Sequence, residues 1–168
     1  TLAVDAIVNA ANSGMTGCWA PLHYCIDNAI HTYAGVQLRA EMACIMDAQG
    51  HEEPTGHAKI TPAYNLPSKH IIHTVGPIAA GRPTDTHRRE LSRSYRACLD
   101  TAHAHDCLSL ALCCISTGVF GFPQDEAAQI AVTTVRNWFA EHPNSSMIVV
   151  FNVFGEADEK LYRRLLNL

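Results

Sequence analysis

Val4-Asp5-Ala6-Ile7-Val8-Asn9-Ala10-Ala11-Asn12 is the stretch whose reading decides the fold. β-branched and small residues follow one another without polar alternation, which predicts a strand over residues 4–9 buried on both faces. Asn12-Ser13-Gly14 then supplies turn chemistry. Leu108 to Ile115 repeats the pattern as a second continuous apolar strand. Between these two runs, Asp27 to about Ala48 has helical periodicity, broken near Ala34-Gly35 and ending before Gly50. Ala58–Tyr64 and His70–Val75 predict neighbouring strands joined through Asn65-Leu66-Pro67-Ser68. Thr84 to about His105 predicts an amphipathic helix with Leu91, Tyr95, Cys98, Leu99 and Ala102 on one side. Gln124 to about Glu141 predicts a helix, Met147–Phe151 a buried strand and Glu156–Leu166 a closing helix. Strands of this kind alternating with helices predict an α/β fold with a largely parallel sheet covered on both faces. Ligands of such folds sit beyond the carboxyl ends of the strands. Three segments therefore matter most: Asn12–Cys25, Ser116–Pro123 and the turn after Val153.

The 168 residues, 48% hydrophobic and 17% charged, suit one globular domain with a single core. A formal charge of −4 gives no general basic field for a nucleic-acid backbone. Arg89, Arg93 and Arg96 fall at helical spacing and read as a solvated helix face. No apolar run approaches the ~20 residues that span a bilayer, and no secretion signal is visible. The seven cysteines are odd in number, with Cys113 and Cys114 adjacent in an apolar run. That pattern does not suit a disulfide framework and predicts a reducing, cytoplasmic setting. The chain runs from Thr1 straight into an apolar segment, which predicts that an upstream strand is missing from the sequence.

Ser116-Thr117-Gly118-Val119-Phe120-Gly121-Phe122-Pro123 joins a buried strand to a helix. Its glycines let backbone approach a ligand, and the helix start offers free N–H groups, an arrangement that holds a diphosphate without lysine. A plain strand-to-helix turn, with Pro123 at the first helical position, explains the same residues. The loop matches neither the P-loop nor the dinucleotide glycine pattern. Asn9 and Asn12 can bind sugar hydroxyls or simply form the turn. Cys18, His23 and Cys25, in C-x4-H-x-C spacing, bring two thiols and an imidazole into one short loop. Zinc prefers those ligands, and three of them leave a fourth position open. Chance clustering among seven cysteines and ten histidines is the other explanation, and the residues alone leave both open. Asp27 follows at the predicted helix start, where an acid serves as a cap or dipole partner, or can orient or deprotonate a water. His31 and the other histidines have no ligand-like spacing.

Together these segments resemble a known family. Residues 4–12 are similar to the first signature of macrodomains, His73-Thr74-Val75-Gly76-Pro77 to their middle strand, and Ser116 to Pro123 to their diphosphate loop. The resemblance covers nearly the whole chain, residues 1–168 as a single domain. It implies a three-layer α/β/α macrodomain with a mixed, largely parallel central sheet. Gly17 to His31, where most macrodomains carry a glycine run, resembles the loop of the microbial zinc-dependent branch. Those enzymes remove ADP-ribose from proteins modified by a partner sirtuin-type transferase.

The resemblance further implies that Asn12 contacts the distal ribose, Asp27 is the catalytic aspartate, and Cys18, His23 and Cys25 hold Zn2+. Backbone groups of Ser116, Thr117, Gly118, Val119, Phe120 and Gly121 would cradle the diphosphate, with Phe120 and Phe122 shaping the walls and Phe154 stacking on adenine. The acidic residue that reads the adenine amino group in this family would lie just before Thr1 and is absent from the sequence. The expected activity is release of mono-ADP-ribose from modified side chains, foremost Asp and Glu esters. The alternatives are a module that binds ADP-ribose without cleaving it, and a zinc that only braces the loop. No nucleic-acid or membrane partner is expected.

Overall fold

A computed structural model describes residues 2–168. The chain order is β1 (Ala6–Ala11), α1 (Ile26–Ala34), α2 (Val36–Gln49), β2 (Ala58–Pro62), β3 (His70–Val75), α3 (Asp85–Ala104), β4 (Ser109–Leu112), α4 (Gln124–Glu141), β5 (Ile148–Phe151) and α5 (Glu156–Leu166). The five strands form one sheet in the order β2-β3-β1-β4-β5. β3, β1, β4 and β5 pair in parallel, and only β2 runs antiparallel to its neighbour β3.

Strand residues of alternate parity serve two cores. Ala6, Val8, Ile72, Leu110 and Leu112 pack beneath α3, α4 and α5, where Leu91, Tyr95, Leu99, Trp138 and Tyr162 are buried. Ala11, Ile71 and Val75 face the other way, against Met15, Ile30, Ala34, Leu38 and Met42 of the β1–α1 loop, α1 and α2. The expected layers of helix, sheet and helix are therefore present. Burying both faces of the parallel strands is what removes polar alternation from their sequence.

Several boundaries differ from the sequence pattern for local reasons. β4 stops at Leu112, not Ile115. The Tyr95 hydroxyl donates to the Cys113 carbonyl at 3.1 Å and accepts from Ile115 N–H at 3.0 Å, drawing the chain out of the ladder. β1 begins at Ala6, not Val4. Asp5 instead ties three strand entrances together, because its carboxylate accepts from Leu108 N–H at 2.8 Å and Ser109 Oγ at 3.1 Å and pairs with Lys69 Nζ at 2.7 Å. α1 and α2 are separate helices, divided at Gly35, whose φ of 99° only glycine adopts readily. Among the described residues, no helix is long and apolar enough to cross a membrane.

Candidate functional site

Asn9, on β1, looks inward and is fully buried. Its amide nitrogen donates to Asp27 Oδ1 at 2.8 Å and lies 3.1 Å from His73 Nδ1 on β3. With both hydrogens used in this way, Asn9 has no donor left for a sugar oxygen. Asn12 stands one residue past the strand end. Its Oδ1 accepts from Gly14 N–H at 3.0 Å, and its Nδ2 reaches the Gly17 carbonyl at 3.2 Å and Asp27 Oδ2 at 3.3 Å. The two asparagines thus hold the two oxygens of one carboxylate.

Asp27 sits in the first turn of α1 but does not cap it. Cys25 is the cap, its Sγ accepting from Asn28 N–H at 3.3 Å. That arrangement frees the Asp27 side chain to turn toward β1. The carboxyl is buried, and burial pushes its pKa up, against the opposing pull of the Asn9 hydrogen bond and the Arg39 charge. His31, one helical turn on, places Nε2 3.6 Å from Asp27 Oδ1. Burial, with Arg39 nearby, lowers the His31 pKa to about 4, so this contact is not an ion pair at neutral pH. Gly17, at φ +88°, lies directly on this ring. A Cβ there would fall 2.8 Å from His31 Cγ, so the loop needs glycine at that position.

The segment between Gly17 and α1 brings its two thiols and one imidazole together. One ligand atom each from Cys18, His23 and Cys25 lies within 4.8 Å of the others, and Cys18 Sγ is 3.2 Å from His23 Nδ1. A tetrahedral zinc with the usual bond lengths sets its sulfur and nitrogen ligands about 3.5–3.8 Å apart. The cluster fits that ion with small adjustments. Backbone and side-chain bonds shape the loop without the metal: Asn28 Nδ2 donates to the His23 carbonyl at 3.0 Å, and Arg39 donates to the Thr16 carbonyl at 2.7 Å while covering the Trp19 ring at 4.1 Å. Trp19, Leu22 and Tyr24 point to solvent.

The Ser116–Pro123 loop turns under local constraint, with φ of 66° at Ser116 and 64° at Gly121. Phe122 N–H closes it onto the Ser116 carbonyl at 2.9 Å. A neighbouring segment backs it: Ala79 and Ala80 N–H both donate to the Phe120 carbonyl, and Gly81 N–H donates to the Gly121 carbonyl at 2.7 Å. The N–H groups of Gly118, Val119 and Phe120 find no acceptor among the described residues. Three successive N–H groups without partners are donors of the kind that hold an anion. The start of α4 is less suited than its sequence suggests, because Asp125 and Glu126 already occupy the first turn and Pro123 is the cap, not the first helical residue. Phe122 is buried in the α3–α4 core, beneath the loop and not on its wall, whereas Gly118 and Val119 are exposed. Phe154, just past β5, is 95% exposed, with its backbone N–H near Cys114 Sγ.

The β1–α1 loop with Asp27, the loop after β4 and the turn after β5 all follow carboxyl ends of parallel strands, at one edge of the sheet. Sequence reasoning missed His73, Thr61 and His31, which reach the site from separate elements. It also missed the 79–81 segment behind the Ser116–Pro123 loop. Only the period-2 alignment of His73 with Asn9 could have signalled the first, once the strand register was known.

Comparison with known proteins agrees with this geometry. Residues 8–131 match the family model described as the Macro domain. A protein-ADP-ribose hydrolase of Treponema medium is 62% identical over 167 residues, which is 99% of this chain and 64% of that protein. A protein-ADP-ribose hydrolase of Staphylococcus aureus (strain MSSA476) is 53% identical over 168 residues, 99% of this chain and 63% of that protein. The chain thus spans just under two thirds of the curated relatives it matches. Among solved structures, the Oceanobacillus iheyensis macrodomain with ADP superposes with a TM-score of 0.88 at 36% identity, covering 99% of this chain and 84% of that one. With a family model over most of its length and a fold that superposes throughout, the chain belongs to the macro domain family.

Proposed function

We propose that this chain is a zinc-dependent protein-ADP-ribose hydrolase that releases mono-ADP-ribose from modified side chains, Asp and Glu esters foremost. The observation that carries the reading is a buried carboxylate, Asp27, held by two asparagines and placed two residues after a thiol–imidazole–thiol cluster. The names of the Treponema medium and Staphylococcus aureus relatives, and the ADP bound by the Oceanobacillus iheyensis macrodomain, support it.

The anion-binding role falls to the free amides of Gly118, Val119 and Phe120, which would cradle the diphosphate together with the rest of Ser116–Gly121. Gly118 has neither a positive φ nor any atom within 4 Å of a built Cβ, so the fold itself does not require glycine there. Close approach of a ligand does. Phe154 offers an exposed ring for adenine. Asn12 Oδ1 keeps one lone pair beyond the Gly14 bond, enough to accept from a hydroxyl of the distal ribose. Diphosphate binding remote from the reacting bond would help hold that bond in place.

Asp27 Oδ1 and Oδ2 each spend one lone pair on an asparagine and retain others. The carboxylate would accept a hydrogen bond from the attacking water and take its proton as the ester bond breaks. Zinc held by Cys18, His23 and Cys25 supplies, when bound, a Lewis acid with an open coordination position. A sirtuin-type transferase would be the source of the modified substrate.

The test is release of ADP-ribose from a carboxylate-modified protein, with zinc content measured on the same samples. Asp27→Ala and Cys18→Ala should lose most turnover while the fold and ADP-ribose binding persist. Full turnover in both folded variants would overturn the reading. Tight binding of ADP-ribose with no turnover by the parent protein would make the chain a binding module instead.

A further inference from the structure

We infer that His73, with Thr61 behind it, is a positioning residue that sets the orientation of Asp27 through the Asn9 amide. The inference deepens the hydrolase reading and rests on Asp27 having the role given there.

The register of the sheet creates the path. Asn9 lies directly opposite His73 in the parallel β1–β3 pair. On the other side, His73 stands opposite Lys59 of β2, so Thr61 is its diagonal neighbour on the same face of the pleat. The side chains of three strands therefore form one buried row. Thr61 Oγ1 is 3.0 Å from His73 Nε2, His73 Nδ1 is 3.1 Å from Asn9 Nδ2, and Asn9 Nδ2 is 2.8 Å from Asp27 Oδ1. Thr61, His73, Asn9 and Asp27 are all buried.

Hydrogen-bond chemistry fixes the direction of each link. The Asn9 amide nitrogen has two hydrogens and no acceptor capacity. One goes to the carboxylate, and the other points at His73 Nδ1, which must then offer a lone pair. The ring proton is left on Nε2, where it donates to Thr61 Oγ1. Only Asp27 and His73 hold the amide in this sense, because Asn9 Oδ1 is buried without a hydrogen-bond partner. If His73 carried its proton on Nδ1, it would meet the Asn9 N–H donor with another donor. The amide would relieve that clash by flipping, and Oδ1 would then face the Asp27 carboxylate, acceptor against acceptor. The carboxylate and His73 Nδ1 thus take the two amide hydrogens between them, the Thr61 hydroxyl accepts the Nε2 proton that this tautomer leaves, and the amide pins one oxygen of the carboxylate. Asn12 holds the other oxygen from 3.3 Å and cannot substitute for this contact.

The experiment combines ring NMR with steady-state kinetics on three variants. In the parent protein, the 15N shifts of His73 should report a neutral ring protonated on Nε2. Thr61→Val should populate the Nδ1–H form. His73→Leu should lower kcat on the order of tenfold, with KM and ADP-ribose Kd within about twofold. His73→Asn, whose Oδ1 can stand near the position of the lost Nδ1, should recover most of that loss, whereas a merely structural role would not predict rescue by the smaller side chain. An Nδ1–H tautomer in the parent protein would overturn the inference, as would unchanged kcat in folded His73→Leu. Absence of turnover in the parent protein would sink the hydrolase reading, while the tautomer measurement would still decide the path. Should His73→Leu fail to fold, the tautomer shift and kcat of Thr61→Val carry the same decision.

Discussion

Gly76→Ala should damage stability and ADP-ribose binding together, although Gly76 touches no ligand in the proposed site. Gly76 does not have a positive φ, so alanine is compatible with its backbone. The difficulty is space. A Cβ would fall inside van der Waals contact of Ser116 Oγ and 2.5 Å from Ile115 Cγ2, against the ~3.5–4.0 Å of a relaxed carbon contact. Ser116 Oγ has no hydrogen-bond partner and can rotate away. Ile115 is fully buried and cannot. Relief must come from a shift of about 1 Å between the end of β3 and the chain leading into the Ser116–Pro123 loop, an overpacking cost of about 2 kcal/mol. For a chain of this size that lowers Tm by roughly 4–8 °C. The same shift displaces the free amides of Gly118 to Phe120, so ADP-ribose affinity should fall on the order of tenfold. Gly118→Ala is the counterpart: with nothing within 4 Å of its Cβ, it should leave Tm within about 2 °C and weaken ADP-ribose alone. Scanning calorimetry and titration calorimetry read the two effects separately. A Gly76→Ala protein with parental Tm would refute the packing argument, and a Gly118→Ala protein with parental affinity would refute the placement of the diphosphate.

Two further outcomes concern stability. His73 and His31 have folded pKa values lowered by burial to about 3 and about 4, from an ordinary 6.5, with His31 facing Asp27, Arg39 and His73. The unfolded chain then binds more protons between those values and 6.5. Stability from both rings is complete above pH 6.5 and is lost as pH falls, at about 1.4 kcal/mol per pH unit for each. Denaturation in urea should show a loss of about 2 kcal/mol between pH 6 and pH 5, roughly halved in His31→Gln; a flat profile would contradict the burial of uncharged rings. Asp5→Ala should cost about 1–3 kcal/mol by urea denaturation, because it strips acceptors from Leu108 N–H and Ser109 Oγ at the strand entrances. Lys69→Ala should cost much less, since the Lys69 side chain is exposed and its ion pair is screened by solvent. Equal losses in the two would assign the effect to the ion pair instead.

The features legible in the sequence share one property: residues close in the chain determine them. The strands around Ile7 and Leu110, the amphipathic α3 and the division at Gly35 all follow from local pattern and turn chemistry. Cys18, His23 and Cys25 likewise come together because only six residues of loop lie between the outer pair, so spacing alone brings the three into range. The family resemblance also rested on contiguous motifs. Asp27 was legible as a candidate but not in its role, because an acid at a helix start reads as a cap until Cys25 is seen to fill that position.

What escaped the sequence is set by the sheet. Asn9 reads as a sugar ligand when only its turn is considered. It becomes an internal spacer once β1 is known to lie beside β3, with His73 opposite it. Thr61, His73 and Asn9 are dozens of residues apart in places, and nothing in their separations marks them as neighbours; a strand order of β2-β3-β1 does. Phe122 shows the converse. It lies three residues from exposed Val119 in the same motif, yet it is buried in the α3–α4 core. A linear motif therefore identifies the loop without sorting its side chains into wall and foundation. That sorting is also why the gap beside Gly76 matters: the glycine that resembles a motif residue at the end of β3 meets its constraint in Ser116 and Ile115, forty residues away, and substitution there tests the sheet's geometry in a way that no substitution within the loop can.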